Sequence, residues 1–134
     1  MANEADGFLV DTHLLIWWAY MPEQLPEPAR SRLASRDCQL FFSLVSLWEV
    51  AIKASLRRED FQVDPSALRM GLLREGFKEL PIEVEHVLAV QQLPWIHRDP
   101  FDRLLVAQAL REGLRLLSTD RALLGYGDGV QWAG

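Results

Sequence analysis

Four acids stand where a carboxylate needs an explanation. Asp11 follows the apolar run Phe8-Leu9-Val10, and Glu49 is the only charged residue between Asp37 and Lys53. Asp102 lies in Arg98-Asp99-Pro100-Phe101-Asp102-Arg103, and Asp120 closes Leu117-Ser118-Thr119-Asp120. Brought together, such carboxylates repel one another unless cations are present. Their hard oxygens, without Cys or clustered His, suit Mg²⁺ or Mn²⁺ rather than zinc. Taken singly, each acid has a plainer role. Asp11 can cap the helix that follows it. Glu49 either completes an S-x-x-E capping box with Ser46 or pairs at i,i+4 with Lys53. Asp99, just before a proline, reads as an N-cap, and Asp102 as a first-turn acid that favours the helix dipole. Asp120 can serve a turn or a cap. His13, His86 and His97 read as surface or packing residues. Arg98, Arg103 and Arg121 flank the acids, either to meet phosphate or to pair with neighbouring carboxylates.

The elements that position these acids follow from hydrophobic periodicity and its breakers. Phe8–Val10 predicts a strand, and His13–Tyr20 a helix with no breaker before Pro22. A short helix over Glu27–Ser35 turns Ala29, Leu33 and Ala34 inward. A strand at Gln39–Phe42 leads to a helix over Leu44–Ser55, capped by Ser43 or Ser46. A further helix spans Ser66–Glu75 and closes at Gly76, before a strand at Phe77–Ile82 and a helix at Glu83–Gln92. Asp99-Pro100 opens a helix over Phe101–Glu112 that ends at Gly113. Then come a strand at Arg115–Ser118, a turn at Thr119-Asp120, a short helix at Arg121–Leu124, a Gly-rich turn at 125–129 and a strand at Val130–Trp132. Strands separated by helices imply α/β architecture, a mostly parallel sheet with helices on both faces. Such sheets bind ligands at the carboxyl ends of their strands, where Asp11 and Asp120 both fall.

The 134 residues suit a single domain, 1–134, with 49% hydrophobic and 25% charged residues, as in ordinary globular proteins. The one cysteine, Cys38, fits a reducing compartment, the cytoplasm. The start, Met1 to Gly7, carries two acids and no basic leader. The longest apolar run, Leu14–Met21, is shorter than the ~18 residues of a membrane span. No membrane is expected as a partner.

The blocks Leu9-Val10-Asp11-Thr12-His13, Ser46-Leu47-Trp48-Glu49-Val50-Ala51-Ile52-Lys53, His97 to Ala109 and Leu117-Ser118-Thr119-Asp120 together resemble the PIN-domain family. Within it, the likeness is to VapC-type ribonuclease toxins of toxin–antitoxin pairs. The resemblance spans nearly the whole chain in the right order, and the third block is long enough to be specific. It implies a three-layer α/β/α fold with a short central sheet. It also implies that Asp11, Glu49, Asp102 and Asp120 are the catalytic, metal-holding acids, with Thr119 and Asp99 as outer-shell helpers. The expected activity is hydrolysis of RNA with Mg²⁺ or Mn²⁺, leaving 5′-phosphate and 3′-hydroxyl ends. One ion, or two about 4 Å apart, would lower the pKa of a water and stabilise the leaving oxygen. A cognate antitoxin and a homodimer are the expected protein partners.

The net charge of −5 argues against gripping nucleic acid through overall positive potential. A cluster of acids accounts for part of that charge, and bound cations reverse the local field. Two other functions compete. An Asp ending the first strand also serves aspartyl-phosphate enzymes, but these carry Asp-x-Asp or a late-strand Lys, whereas here Asp11-Thr12-His13 stands and Lys53 and Lys78 are the only lysines. A non-catalytic PIN-like module that binds RNA or protein is disfavoured by retention of all four acids. Trp17 and Trp18 adjoin on one helix, where neighbours diverge by roughly 100°. Either one of them lies at a self-association or antitoxin interface, or the helix is buried on two sides.

Overall fold

The computed structural model describes residues 7–134; residues 1–6, read above as lacking a basic leader, lie outside the described residues. Five strands, β1 (Gly7–Val10), β2 (Gln39–Ser43), β3 (Lys78–Leu80), β4 (Arg115–Ser118) and β5 (Val130–Trp132), form one sheet in the order β3-β2-β1-β4-β5. Each neighbouring pair is parallel, so the sheet is parallel throughout rather than mostly. Its helices are α1 (Thr12–Tyr20), α2 (Glu27–Ala34), α3 (Leu44–Ser55), α4 (Pro65–Arg74), α5 (Val84–Ala89) and α6 (Pro100–Glu112).

Alternation along the strands builds two cores. Phe8 and Val10 of β1 and Leu117 of β4 point to one face and pack with Leu14, Leu15, Ala29, Leu68 and Leu72 from α1, α2 and α4. Leu9 and Leu116 point to the other and pack with Leu105, Val106 and Ala109 of α6. Both faces are covered, which is why β1 reads as an uninterrupted apolar run. The result is the three-layer α/β/α fold. Among the described residues, no helix is long and apolar enough to cross a membrane.

Several local expectations change for physical reasons. β3 is limited to Lys78–Leu80 because Leu80 pairs with Ser43, the last residue of β2, and Pro81 follows with no N–H to offer. α5 stops at Ala89 and tightens into a 3₁₀ turn at Val90–Gln92, ahead of Pro94. The segment Arg121–Gly129 is one run of 3₁₀ turns broken at Gly127 (φ 81°), not a short helix followed by a turn. In α2, Ala29 is fully buried and Leu33 half-buried, but Ala34 is exposed. Asp64 caps α4 one residue earlier than expected, accepting from the Ser66 N–H. Ser43 caps α3 by accepting from the Val45 N–H, so Ser46 and Glu49 form no capping box. The Glu49–Lys53 pair does form, at 3.1 Å.

Asp99 caps α6, accepting from the Phe101 and Asp102 N–H groups, and Gly113 ends that helix at φ 70°. Arg103, 5% exposed, turns away from solvent. It donates to the carbonyls of Pro94 (3.0 Å) and Val90 (3.1 Å) and to the Tyr126 hydroxyl (3.4 Å). One buried guanidinium thereby pins the connection between α5 and α6 to the 121–129 segment. Among the described residues it forms no ion pair with an acid. Arg103→Met is expected to destabilise the protein by roughly 1–3 kcal/mol for each acceptor left unsatisfied, measured as a lowered urea midpoint.

Candidate active site

Val10 pairs with Leu117, so β1 and β4 end side by side and release Asp11 and Asp120 at the same edge of the sheet. The Asp11 N–H still donates to the Leu117 carbonyl at 3.0 Å, holding its backbone as an extension of the strand. Asp11 occupies the N-cap position of α1, yet its side chain makes no capping bond among the described residues. Its Oδ2 instead accepts from the Ser118 hydroxyl at 2.6 Å, and Ser118 Oγ in turn accepts from the Asp120 N–H at 3.0 Å. The two strand ends are thus tied through one serine. Thr12, next to Asp11, shares a 2.7 Å hydrogen bond with Ser46. This bond sets the start of α1 against the first turns of α3, from which Glu49 projects inward at 6% exposure. Lys53 donates to Glu49 Oε2, but Glu49 Oε1 is buried with no hydrogen-bond partner among the described residues.

Asp102 comes from α6, on the other face of the sheet, and Asp120 from just beyond the end of β4. Asp102 sits in the first turn of α6, and Asp120 caps the 121–129 segment through Oδ1, which accepts from the Ala122 N–H at 2.9 Å. Asp120 Oδ2 lies 3.2 Å from His97 Nε2, and Asp102 Oδ2 lies 3.4 Å from the same nitrogen. One potential ligand atom from each of His97, Asp102 and Asp120 falls within 4.8 Å of the other two.

The electrostatics bear the mark of crowding. Burial pushes the Asp102 carboxyl up to about 8, with further upward contributions from Asp11, Asp99, Glu49 and Asp120. Burial also raises Asp11; the Ser118 hydrogen bond and His13 oppose this, while Glu49 and Asp120 add to it. Asp102 thus feels the charges of the other three acids, and Asp11 those of Glu49 and Asp120, with Asp11 and Glu49 buried and Asp120 part-exposed. An unpartnered carboxylate oxygen among mutually repelling acids is the donor set a hard divalent cation satisfies. The residues fit such an ion.

Each expected site residue can now be located. Asp11, Glu49, Asp102 and Asp120 are near enough to influence one another's charge, while ligand atoms within 4.8 Å of one another are offered, among the described residues, by Asp102 and Asp120 with His97. The hydroxyl bonded to Asp11 belongs to Ser118 rather than Thr119, which is half-buried beside it. Asp99 is engaged as the α6 cap while its charge adds to the pressure on Asp102. His86 is a packing residue, 1% exposed and hydrogen-bonded to Glu112. His13 is exposed, edge-on to Trp17. Arg98 is exposed, and the Arg121 guanidinium lies over the Trp132 ring. His97, read from sequence as surface or packing, instead touches two of the acids. Its place two residues before the capping Asp99 was the available signal.

Comparison with known proteins points in one direction. The PIN domain family model matches residues 8–128. Ribonuclease VapC22 of Mycobacterium tuberculosis is 29% identical over 119 residues, 88% of this chain and 90% of that protein. Among solved structures, VapBC2 of Rickettsia felis bound to a DNA fragment from their promoter matches with a TM-score of 0.67 at 10% identity, over 94% of this chain and 96% of that one. A toxin–antitoxin complex from Klebsiella pneumoniae gives 0.66 at 20% identity, over 94% and 97%. FitAcB from Neisseria gonorrhoeae gives 0.65 at 15%, over 93% and 96%. At these identities the structural likenesses establish the fold.

The raised Asp102 carboxyl has a consequence for stability. Between its ordinary value of 3.8 and about 8, the folded metal-free chain holds a proton that the unfolded chain has released, so stability falls as pH rises. In EDTA, the melting temperature is expected to drop between about pH 5 and about pH 8. Asp102→Asn should flatten that slope, and Mn²⁺ should restore the parent protein at the upper end; thermal melts at fixed ionic strength check all three.

Proposed function

The chain belongs to the PIN-domain family, and from that premise we propose that it is a metal-dependent endoribonuclease, the toxin of a VapBC-type toxin–antitoxin pair. The observation that carries this reading is the group of four neighbouring acids, with Glu49 Oε1 left unpartnered among the described residues. The ribonuclease name of its Mycobacterium tuberculosis relative and the toxin–antitoxin complexes among its structural likenesses support it. We take residues 1–134 as a single PIN domain working in the cytoplasm, where the lone Cys38 stays reduced.

In this mechanism Asp11, Glu49, Asp102 and Asp120 would hold Mg²⁺ or Mn²⁺. When bound, the ion supplies Lewis acidity, activating water and offsetting charge on the scissile phosphate and its leaving oxygen. The protein supplies fixed orientation. Ser118 holds Asp11, Lys53 holds one oxygen of Glu49, and the Ala122 N–H holds one oxygen of Asp120. The hydroxyls of Ser118, Thr12 and Ser46 are engaged within the protein, Ser118 with Asp11 and Thr12 with Ser46. On this reading water is the attacking group, and the family resemblance implies 5′-phosphate and 3′-hydroxyl ends. An aspartyl-phosphate mechanism gains no support, since the nearby Lys53 is engaged by Glu49. Thr119 and Asp99 serve as outer-shell residues, Asp99 by fixing the first turn that carries Asp102.

Protein partners have two candidate seats. A groove of about 440 Å³ opens beside Glu49 and Lys53, walled by Ile16, Trp17, Tyr20, Phe61 and Val63. Trp17 faces this groove, whereas Trp18 packs edge-on against Phe77. We assign the groove to the antitoxin. The exposed Val84, Val87 and Leu88 share one stripe of α5 at i, i+3 and i+4 spacing, and we assign it to the homodimer.

Purified, antitoxin-free protein is expected to cut total RNA into discrete fragments with Mn²⁺ or Mg²⁺, to stop in EDTA, and to lose at least ~100-fold in rate as Asp11→Asn. Cleavage indifferent to metal or to Asp11 would defeat the reading. By light scattering, the free chain should run at twice its 15.4 kDa. Trp17→Ala should keep that mass while losing antitoxin capture; capture at parental strength would remove the groove assignment.

A further inference from the structure

His97 touches the acids in a way that fixes which job it can do. Its Nδ1 accepts a hydrogen bond from the Asp99 N–H at 3.1 Å, and a ring nitrogen that accepts carries no proton. The proton of the neutral ring then resides on Nε2, the nitrogen that faces Asp120 Oδ2 at 3.2 Å and Asp102 Oδ2 at 3.4 Å. For Nε2 to ligate a cation, it would need its lone pair, with the proton moved to Nδ1. There it would meet the Asp99 N–H donor to donor. The same backbone amide therefore opposes the ligand role that the spacing of His97, Asp102 and Asp120 alone would suggest.

The ring is also held from behind. The His97 N–H donates to the Tyr126 hydroxyl at 3.1 Å, and that hydroxyl is also reached by Arg103, which binds the Pro94 and Val90 carbonyls. Two residues further on, Asp99 caps α6. The segment leading into α6 is thus anchored at both ends of His97, and the imidazole at 18% side-chain exposure has little room to turn.

We propose that His97 is a positioning residue whose Nε2–H donates to Asp120 and lies against Asp102, setting the spacing of two metal-holding acids contributed by different elements, and that it is not itself a ligand. The proposal rests on the nuclease reading only for what the acids are for. The contact joins α6 to the 121–129 segment at the point where two carboxylates would otherwise separate. It also sets a donor beside the pair before any cation arrives.

Mn²⁺ binding, followed by electron paramagnetic resonance without RNA, tests this separately from nuclease activity. His97→Ala should weaken Mn²⁺ binding by about 10–100-fold, the usual cost of losing a group that orients ligands. His97→Gln, whose side-chain amide can donate from the position of Nε2, should recover most of that loss. In parent protein with ¹⁵N-labelled histidine, the bound Mn²⁺ should show no nitrogen coupling from His97. Nitrogen coupling, unchanged affinity in His97→Ala, or equal weakness of the Ala and Gln variants would each overturn the proposal. Circular-dichroism melts of both variants establish that the protein compared is folded. If Mn²⁺ binding behaves as expected while RNA is left intact, the positioning role stands and the nuclease reading falls.

Discussion

Carboxylate groups that share a confined space resist being there. Asp102 meets that resistance from four neighbours at once while also being removed from water, which is why its proton is held to about 8. Much of the local structure can be understood as a means of keeping such groups close without letting them choose more comfortable places. Among the described residues, Asp11 could have capped α1 and does not, and Glu49 engages one of its two oxygens.

The parallel sheet supplies half of the confinement and the helix starts supply the rest. β1 and β4 are neighbours, so their ends deliver two acids without loops of any length. α3 and α6 bring theirs from the first or second turn, where the chain is already committed to a direction. Behind these elements lie polar contacts with no direct part in chemistry: Thr12 with Ser46, and Arg103 with two carbonyls and Tyr126. Each is a buried hydrogen bond whose loss would be felt as an unsatisfied partner rather than as a missing attraction. Rigidity of this kind favours orientation over adaptability.

Much of this was legible in the sequence because it depended on local rules. The β1 run, the Asp99-Pro100 start of α6 and the Gly113 stop are signals written within a few residues. The convergence of Asp11 and Asp120 followed from strand ends on a common edge. What escaped depended on partners far along the chain. Nothing near Ser118 marks it, rather than Thr119, as the hydroxyl that meets Asp11, because pleat direction and β1–β4 register decide that. His97 resembles any histidine before a helix until Tyr126 and Asp120 are brought beside it. Arg103 sits next to an acid in sequence and turns the other way, toward carbonyls that no short-range pattern could foresee. The shortening of β3 likewise reflects where its partner β2 ends, a fact recorded some thirty-five residues earlier.

The bond between Ser118 and Asp11 joins residues 107 positions apart. A ribosome therefore completes the first acid long before the serine that orients it, and the strand that must lie beside β1 emerges among the last parts made. During synthesis, the N-terminal half can gather its own apolar residues, but no arrangement of that half contains the centre. A chain released early, or cut within its last third, carries Asp11 and Glu49 as ordinary acids on an unfinished sheet. The group of four acids is thus complete only when β4 has been made and has taken its place beside β1.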